Sequence, residues 1–191
     1  MEVFEAIKTR RSIRQHKSEP IDEETLEKIL EAARWAPSWA NTQCWRFIVV
    51  HDSNLKAQVA DTLSRRKKPD GTISVNVATK VIMEAPVLIV ACAELNRSGC
   101  RNGTPTTDKG GYWYMFDTAL AIQNLCLAAH ALGLGTVIIG DFDAKRVAEI
   151  LGVPEGFSVV TMTPLGFPAH EGKPPHRKEL PEIVFNNRFR A

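Results

Sequence analysis

Apolar positions along the chain follow two rhythms. Leu26, Ile29, Leu30 and Ala33 recur at helical spacing and predict a helix over 23–36. Asp22 follows Pro20 as a candidate N-cap, Glu23 and Glu24 suit the positive end of the helix dipole, and Pro37 stops the run. A short helix is predicted over 3–9 with Phe4 and Ile7 turned inward, and others over 54–63, 112–134 and 144–151. The continuously apolar run at 86–93 predicts a buried strand, the runs at 45–51 and 135–139 read as buried strands, and a further strand is predicted at 158–165. Helices alternating with short buried strands argue for an α+β (mixed α/β) layered fold, and one domain over 1–191 is expected.

Three stretches break the rhythm. Residues 64–76 and 96–111 are polar and rich in turn formers. The segment 172–191 carries Pro174, Pro175 and Pro181, then Ile183, Val184, Phe185 and Phe189 with no neighbouring segment to bury them, so it needs another surface. No internal repeat or low-complexity run is present.

Composition narrows the function. Hydrophobic residues at 44% and charged residues at 24% are ordinary for a globular chain of 191 residues. A net charge of +2 gives no reason to expect a nucleic-acid or acidic-membrane partner. The run Arg65-Arg66-Lys67-Lys68 abuts the turn Pro69-Asp70-Gly71 and reads as a solvated loop, with attraction of a phosphorylated nicotinamide cofactor as the weaker alternative. The stretch 112–134 approaches membrane-spanning length but contains Asp117, Gln123, Asn124 and His130, which suits a core helix better than a bilayer.

Cys44, Cys92, Cys100 and Cys126 form no CxxC pair and suit a reducing cytoplasm; the first residues lack the features of a signal peptide, so a cytoplasmic location is expected. The histidines show no HExxH or His-x-His spacing, and no metal site is expected. Gly133-Leu134-Gly135 precedes a strand instead of following one, with Ile138 in the third glycine's place, so a dinucleotide fingerprint is set aside. No Ser-His-Asp arrangement can be argued from spacing.

Two segments concentrate ligand-binding groups. In an extended chain Arg10, Ser12 and Arg14 share one face while Arg11 and Ile13 share the other, which offers two guanidinium forks and a hydroxyl to an anion. A solvated basic cluster would have the same composition. Ser38, Asn41 and Gln43, in the loop after Pro37, carry hydroxyl and carboxamide groups that match an edge of alternating acceptors and donors, although turn chemistry uses the same residues. A ligand with a phosphate at one end and a polar heterocycle at the other suits the pair, and flavin mononucleotide (FMN) fits that description.

The order of these segments resembles the FMN-dependent nitroreductase family. The likeness rests on Arg10-Arg11-Ser12-Ile13-Arg14, on Pro37-Ser38-Trp39-Ala40-Asn41-Thr42-Gln43 ahead of Trp45, on 128–140 with its Gly133, Gly135 and Gly140, and on Leu165-Gly166-Phe167-Pro168 before Arg177. Cys44 stands where the family usually has proline. The resemblance implies that Arg10, Ser12 and Arg14 meet the phosphate and ribityl chain, with Arg11 inside the motif. It implies that Pro37, Ser38 and Trp39 reach the flavin from the other subunit, with Asn41 and Gln43 nearby, and that backbone amides of Ile139 and Gly140 approach the ring near N5. Arg177, assisted by Lys173, is implied on the phosphate.

It further implies a homodimer with FMN at the subunit interface, a tail that embraces the partner, and a mobile lid at 64–76 and 96–111. NADH or NADPH would donate a hydride, a small-molecule acceptor such as a nitroaromatic or quinone would take it by ping-pong kinetics, and no protein side chain is needed as acid, base or nucleophile. Reductive dehalogenation, enone reduction, flavin fragmentation and a noncatalytic flavin-binding module are alternatives on the same fold.

Overall fold

Capping side chains set most helix starts. The computed structural model describes residues 1–67 and 69–189. In chain order the helices are α1 (Val3–Thr9), α2 (Glu23–Arg34), α3 (Ser53–Ala60), α4 (Val77–Glu84), α5 (Trp113–Ala131), α6 (Ala144–Leu151) and α7 (Leu180–Ile183). Asp22, Asp52, Asn76 and Asp143 cap α2, α3, α4 and α6 by accepting backbone N–H groups of the first turn. Gly152 closes α6 in the left-handed region at φ 67.

The strands are β1 (Trp45–Val50), β2 (Arg66–Lys67), β3 (Ile73–Ser74), β4 (Val87–Glu94), β5 (Cys100–Arg101), β6 (Thr104–Pro105), β7 (Gly135–Thr136) and β8 (Phe157–Gly166). β1, β4, β8 and β7 form one antiparallel sheet in the order β1-β4-β8-β7, while β2–β3 and β5–β6 are separate two-stranded pairs. A register shift between Ala91 and Cys92 places a bulge in the β4–β8 pairing.

Period-two alternation in β4 sorts its side chains between two cores. Val87, Ile89 and Ala91 join Leu26, Ile29 and Ala33 of α2 and Ala121, Ile122 and Leu125 of α5. Leu88, Val90 and Cys92 join Val59 of α3, Val81 and Ile82 of α4 and Val147 of α6. The sheet is therefore covered on both faces, which explains why β4 reads as an unbroken apolar run. The mixed α/β class expected from the sequence is the class found.

Three details differ from the sequence reading. Phe4 and Ile7, expected inward, are 74% and 53% exposed, because α1 buries only Ala6 against the rest of the chain. Helix α4 was not anticipated: its start lies in turn-rich sequence, and of its apolar residues Val77 is exposed.

The strand expected over 135–139 shrinks to β7 plus an isolated bridge between Ile139 and Met162. Met162 exchanges both backbone hydrogen bonds with Ile139, so Pro164, two residues along, faces the same edge and has no N–H to give. The ladder opens there and resumes at Thr136 paired with Leu165.

Arg10–Arg14 lies along the outer side of β7, where Ser12 forms a parallel bridge to Thr136 and the Ile13 N–H donates to the Thr136 carbonyl at 2.9 Å. Gly135 permits this approach: a Cβ there would sit 2.6 Å from the Ile13 side chain. Gly135→Ala should cost about 1–3 kcal/mol of stability by overpacking, read as a lower urea midpoint with an unchanged m-value.

Candidate functional site

The edge of the sheet and helix α4 enclose a cavity of about 520 Å³, within the range of roughly 300–1,000 Å³ that holds small molecules and cofactors. Val81, Val137 and Ile139 give it apolar lining. Arg14 and Gly140 line it too, and the chain from Ser74 to Asn76, leaving the β2–β3 hairpin, forms the facing wall. The first of the two polar stretches thus borders the cavity, whereas 96–111 does not line it.

Arg14 is exposed and makes no ion pair or hydrogen bond to any described residue. Elsewhere Arg34, Arg46, Arg65, Arg97 and Arg146 each sit beside a carboxylate. An arginine held at a cavity mouth without a carboxylate partner leaves its five N–H donors for an anion. Ser12, whose hydroxyl is likewise unpartnered among the described residues, joins Arg14 around a neighbouring hollow of about 230 Å³ lined also by Gly172.

The two backbone positions at the strand end differ. The Ile139 N–H donates to the Met162 carbonyl at 2.8 Å, and the Ile139 carbonyl accepts from the Met162 N–H at 3.1 Å and the Thr161 hydroxyl at 2.8 Å. Ile139 therefore has no main-chain N–H left for a ligand. The Gly140 N–H has no partner among the described residues, and nothing lies within 4 Å of where a Cβ would stand, so its backbone faces open space. Of the two amides expected to meet a ligand, Gly140 alone is free.

The remaining residues singled out in the sequence lie elsewhere. Arg11 turns away from Arg14: its guanidinium donates to the Lys8 and Arg10 carbonyls at 2.7 and 2.8 Å. Arg10 is half-buried toward α5, where burial first, and then the charges of Arg10 and Arg11, hold the His130 ring below its ordinary pKa. Lys173 and Arg177 lie exposed in the tail and line neither hollow. Within the run Arg65–Lys68, Arg65 pairs with Asp61, and Lys68 lies outside the described residues.

Pro37, Ser38, Trp39, Asn41 and Gln43 do not line the cavity of their own chain. Their loop is strained. Ala40, Asn41 and Gln43 take φ of 46, 54 and 47, and every other non-glycine residue described at positive φ is an asparagine. Ala40 and Gln43 lack asparagine's tolerance for this region, and each left-handed non-glycine residue costs roughly 1–2 kcal/mol. Ser38 accepts the Gln43 N–H on its hydroxyl at 2.9 Å, Arg46 donates to the Gln43 carbonyl at 3.0 Å, and Asp117 accepts the Trp39 N–H at 3.0 Å. The Asn41 and Gln43 carboxamides are exposed and have no partner among the described residues.

The sequence reading missed two side chains. Asn76 lines the cavity while its side chain accepts the Ala78 N–H and donates to the Ser64 carbonyl, so it ties the cavity wall to the start of α4. Asp117, regarded only as a polar break in an apolar helix, is 1% exposed and accepts a hydrogen bond from the Ser98 hydroxyl as well as from Trp39. A helix-cap pattern ahead of 77–84 could have flagged Asn76; no local signal marks the partners of Asp117.

The donor set fits the group suggested by the sequence. An unpaired guanidinium, a free hydroxyl and a free backbone N–H border apolar walls, the chemistry required by an anionic tail joined to a flat ring.

Known proteins share this arrangement of sheet and helices. A nitroreductase family protein from Clostridium novyi NT, 33% identical, superposes with a TM-score of 0.74 over 88% of this chain and 86% of that one. An NADPH:FMN oxidoreductase from Vibrio harveyi, solved with NAD+, is 26% identical with a TM-score of 0.82, over 99% of this chain and 78% of that one. A putative NADH dehydrogenase/NAD(P)H nitroreductase from Archaeoglobus fulgidus is 33% identical over 89% of this chain and 87% of its own length. Residues 7–167 match the Nitroreductase family profile, and the chain belongs to that family.

Cys44 is fully buried just ahead of β1. Burial, followed by the nearby charge of Asp117, pushes its thiol up to about 11. The thiolate is the reactive form, so at pH 8 the folded protein should alkylate at Cys44 at least roughly a hundredfold more slowly than the urea-unfolded chain. Iodoacetamide labelling followed by peptide mass spectrometry measures this ratio.

Proposed function

We propose that the protein is an FMN-dependent oxidoreductase that takes reducing equivalents from NADH or NADPH and delivers them to electrophilic small molecules such as nitroaromatics or quinones. Membership of the family supports the reading, as do relatives described as NAD(P)H nitroreductases and as an NADPH:FMN oxidoreductase. The observation that carries it is the pairing of an uncompensated Arg14 with a bare Gly140 N–H on one apolar-walled cavity.

Arg14 and Ser12 would hold the phosphate through charge-assisted hydrogen bonds. The Gly140 N–H would donate to the ring, and Val81, Val137 and Ile139 would keep water from one side of it. The chemistry supplied by bound FMN is hydride transfer through N5 from nicotinamide to acceptor, in two half-reactions at one site. With that group carrying the electrons, the protein's part is to bind, orient and exclude water.

A second copy of the chain would complete the site. Val3, Phe4 and Ile7 on α1, Phe116 on α5, and Ile183 and Phe189 in the tail are all exposed and apolar, and offer a partner surface to cover. A partner covering them would bring its loop 37–43, and with it Asn41 and Gln43, to the ring, with Arg177 and Lys173 as further ligands for the phosphate.

Purified protein should carry or take up one FMN per chain, and anaerobic NADH or NADPH should bleach its visible absorbance. Protein that binds no FMN, or bound FMN untouched by either nicotinamide, would overturn the enzymatic reading. Arg14→Ala should weaken FMN about ten- to a hundredfold, the value of a charge-assisted hydrogen bond, while changing the unfolding free energy by less than about 0.5 kcal/mol, as befits an exposed side chain. Flavin fluorescence titration and urea denaturation read the two quantities separately.

A further inference from the structure

Asp117 is a buried carboxylate with no cation within ion-pairing distance among the described residues. Burying an ionised group against neutral donors alone is unfavourable unless those hydrogen bonds accomplish something an apolar side chain could not. Both donors reach the same oxygen, Oδ2: the Trp39 N–H at 3.0 Å and the Ser98 hydroxyl. Trp39 opens the turn that leads into Ala40, Asn41 and, after Thr42, Gln43, the left-handed non-glycine positions of the loop. Ser98, buried in the link between β4 and β5, ties that same oxygen to a second segment of the chain.

We infer that Asp117 is a positioning residue that holds loop 38–43 in its strained form, so that the Asn41 and Gln43 carboxamides are presented in place before a ligand arrives. This rests on the flavin reading for the identity of the ligand, the polar pyrimidine edge of FMN, but not for the anchoring itself. A loop left to choose its own backbone would take ordinary dihedrals at Ala40 and Gln43 and lose the presented geometry. The anchor removes that option before binding, and the ligand meets a loop whose ordering is already complete. Ala40 is the informative position, because glycine accepts its φ of 46 without the steric penalty.

The test uses the full-length protein as wild type, Asp117→Asn, Ala40→Gly and the double variant, with three readouts: amide hydrogen exchange of the flavin-free chains, FMN affinity by fluorescence quenching, and the urea midpoint. Asp117→Asn keeps the side-chain shape and weakens its acceptor. It should speed exchange across 38–44 about tenfold while β4 and β8 exchange as in wild type, and it should weaken FMN about tenfold. Adding Ala40→Gly should recover at least threefold of that affinity, because the loop then needs less holding.

Unchanged loop exchange in Asp117→Asn, or a double variant that binds FMN no better than Asp117→Asn, overturns the inference; the latter would assign Asp117 an electrostatic role instead. If no variant binds FMN, wild type included, while loop exchange responds as stated, the flavin reading fails and the anchoring stands. Should Asp117→Asn not fold, Ser98→Ala, which removes one of the two donors and leaves the carboxylate on Trp39, is expected to show the same localised exchange. Wild-type exchange in Ser98→Ala would count against the anchor.

Discussion

Burial of β4 on both faces is the constraint on which the rest of the structure depends. Val87, Ile89 and Ala91 belong to the core under α2 and α5, and Leu88, Val90 and Cys92 to the core under α3, α4 and α6. A one-residue slip would exchange the two sets, so the register with β1 and β8 is set by packing on two sides at once. Because that register also fixes where β8 presents Met162 and Pro164, the position at which the sheet's outer edge opens follows from the central strand.

That opening is where the site forms. Pro164 withholds one N–H, the β7 ladder is interrupted, and the chain from Val137 to Gly140 is left to line a cavity instead of completing a strand. Gly135 lets the extended segment Arg10–Arg14 dock beside it through Ile13, which places Arg14 at the cavity mouth. Apolar packing thus positions a charged group that makes no ion pair with any described residue, a state that costs little in water and becomes useful when an anion is present.

Polar groups are used differently at the cavity and at the loop. Around the cavity Arg14, Ser12 and the Gly140 N–H are unpartnered among the described residues, whereas the loop at 38–43 is tied by Ser38, Arg46 and the buried Asp117 and keeps only its carboxamides free. One region keeps its donors free and the other is held by its own hydrogen bonds. In the dimer proposed above, a second chain covering the exposed apolar residues of α1 and the tail would bring one protomer's loop to its partner's cavity.

Local sequence determined a good deal. Helical spacing and the cap Asp22 marked α2, a helix was legible at α6, and apolar-rich runs marked β1, β4 and β8, because period and capping are properties of neighbouring residues. The extended run Arg10–Arg14 and the opposed facing of Arg11 were also legible from alternation. Only the tertiary structure decided that Ile139 uses its N–H within the sheet while Gly140 does not, that Phe4 and Ile7 face outward, and that Asp117 reaches Trp39 and Ser98. Each of these turns on which distant backbone or surface lies opposite, and residue spacing along one segment carries no information about a partner seventy-eight positions away.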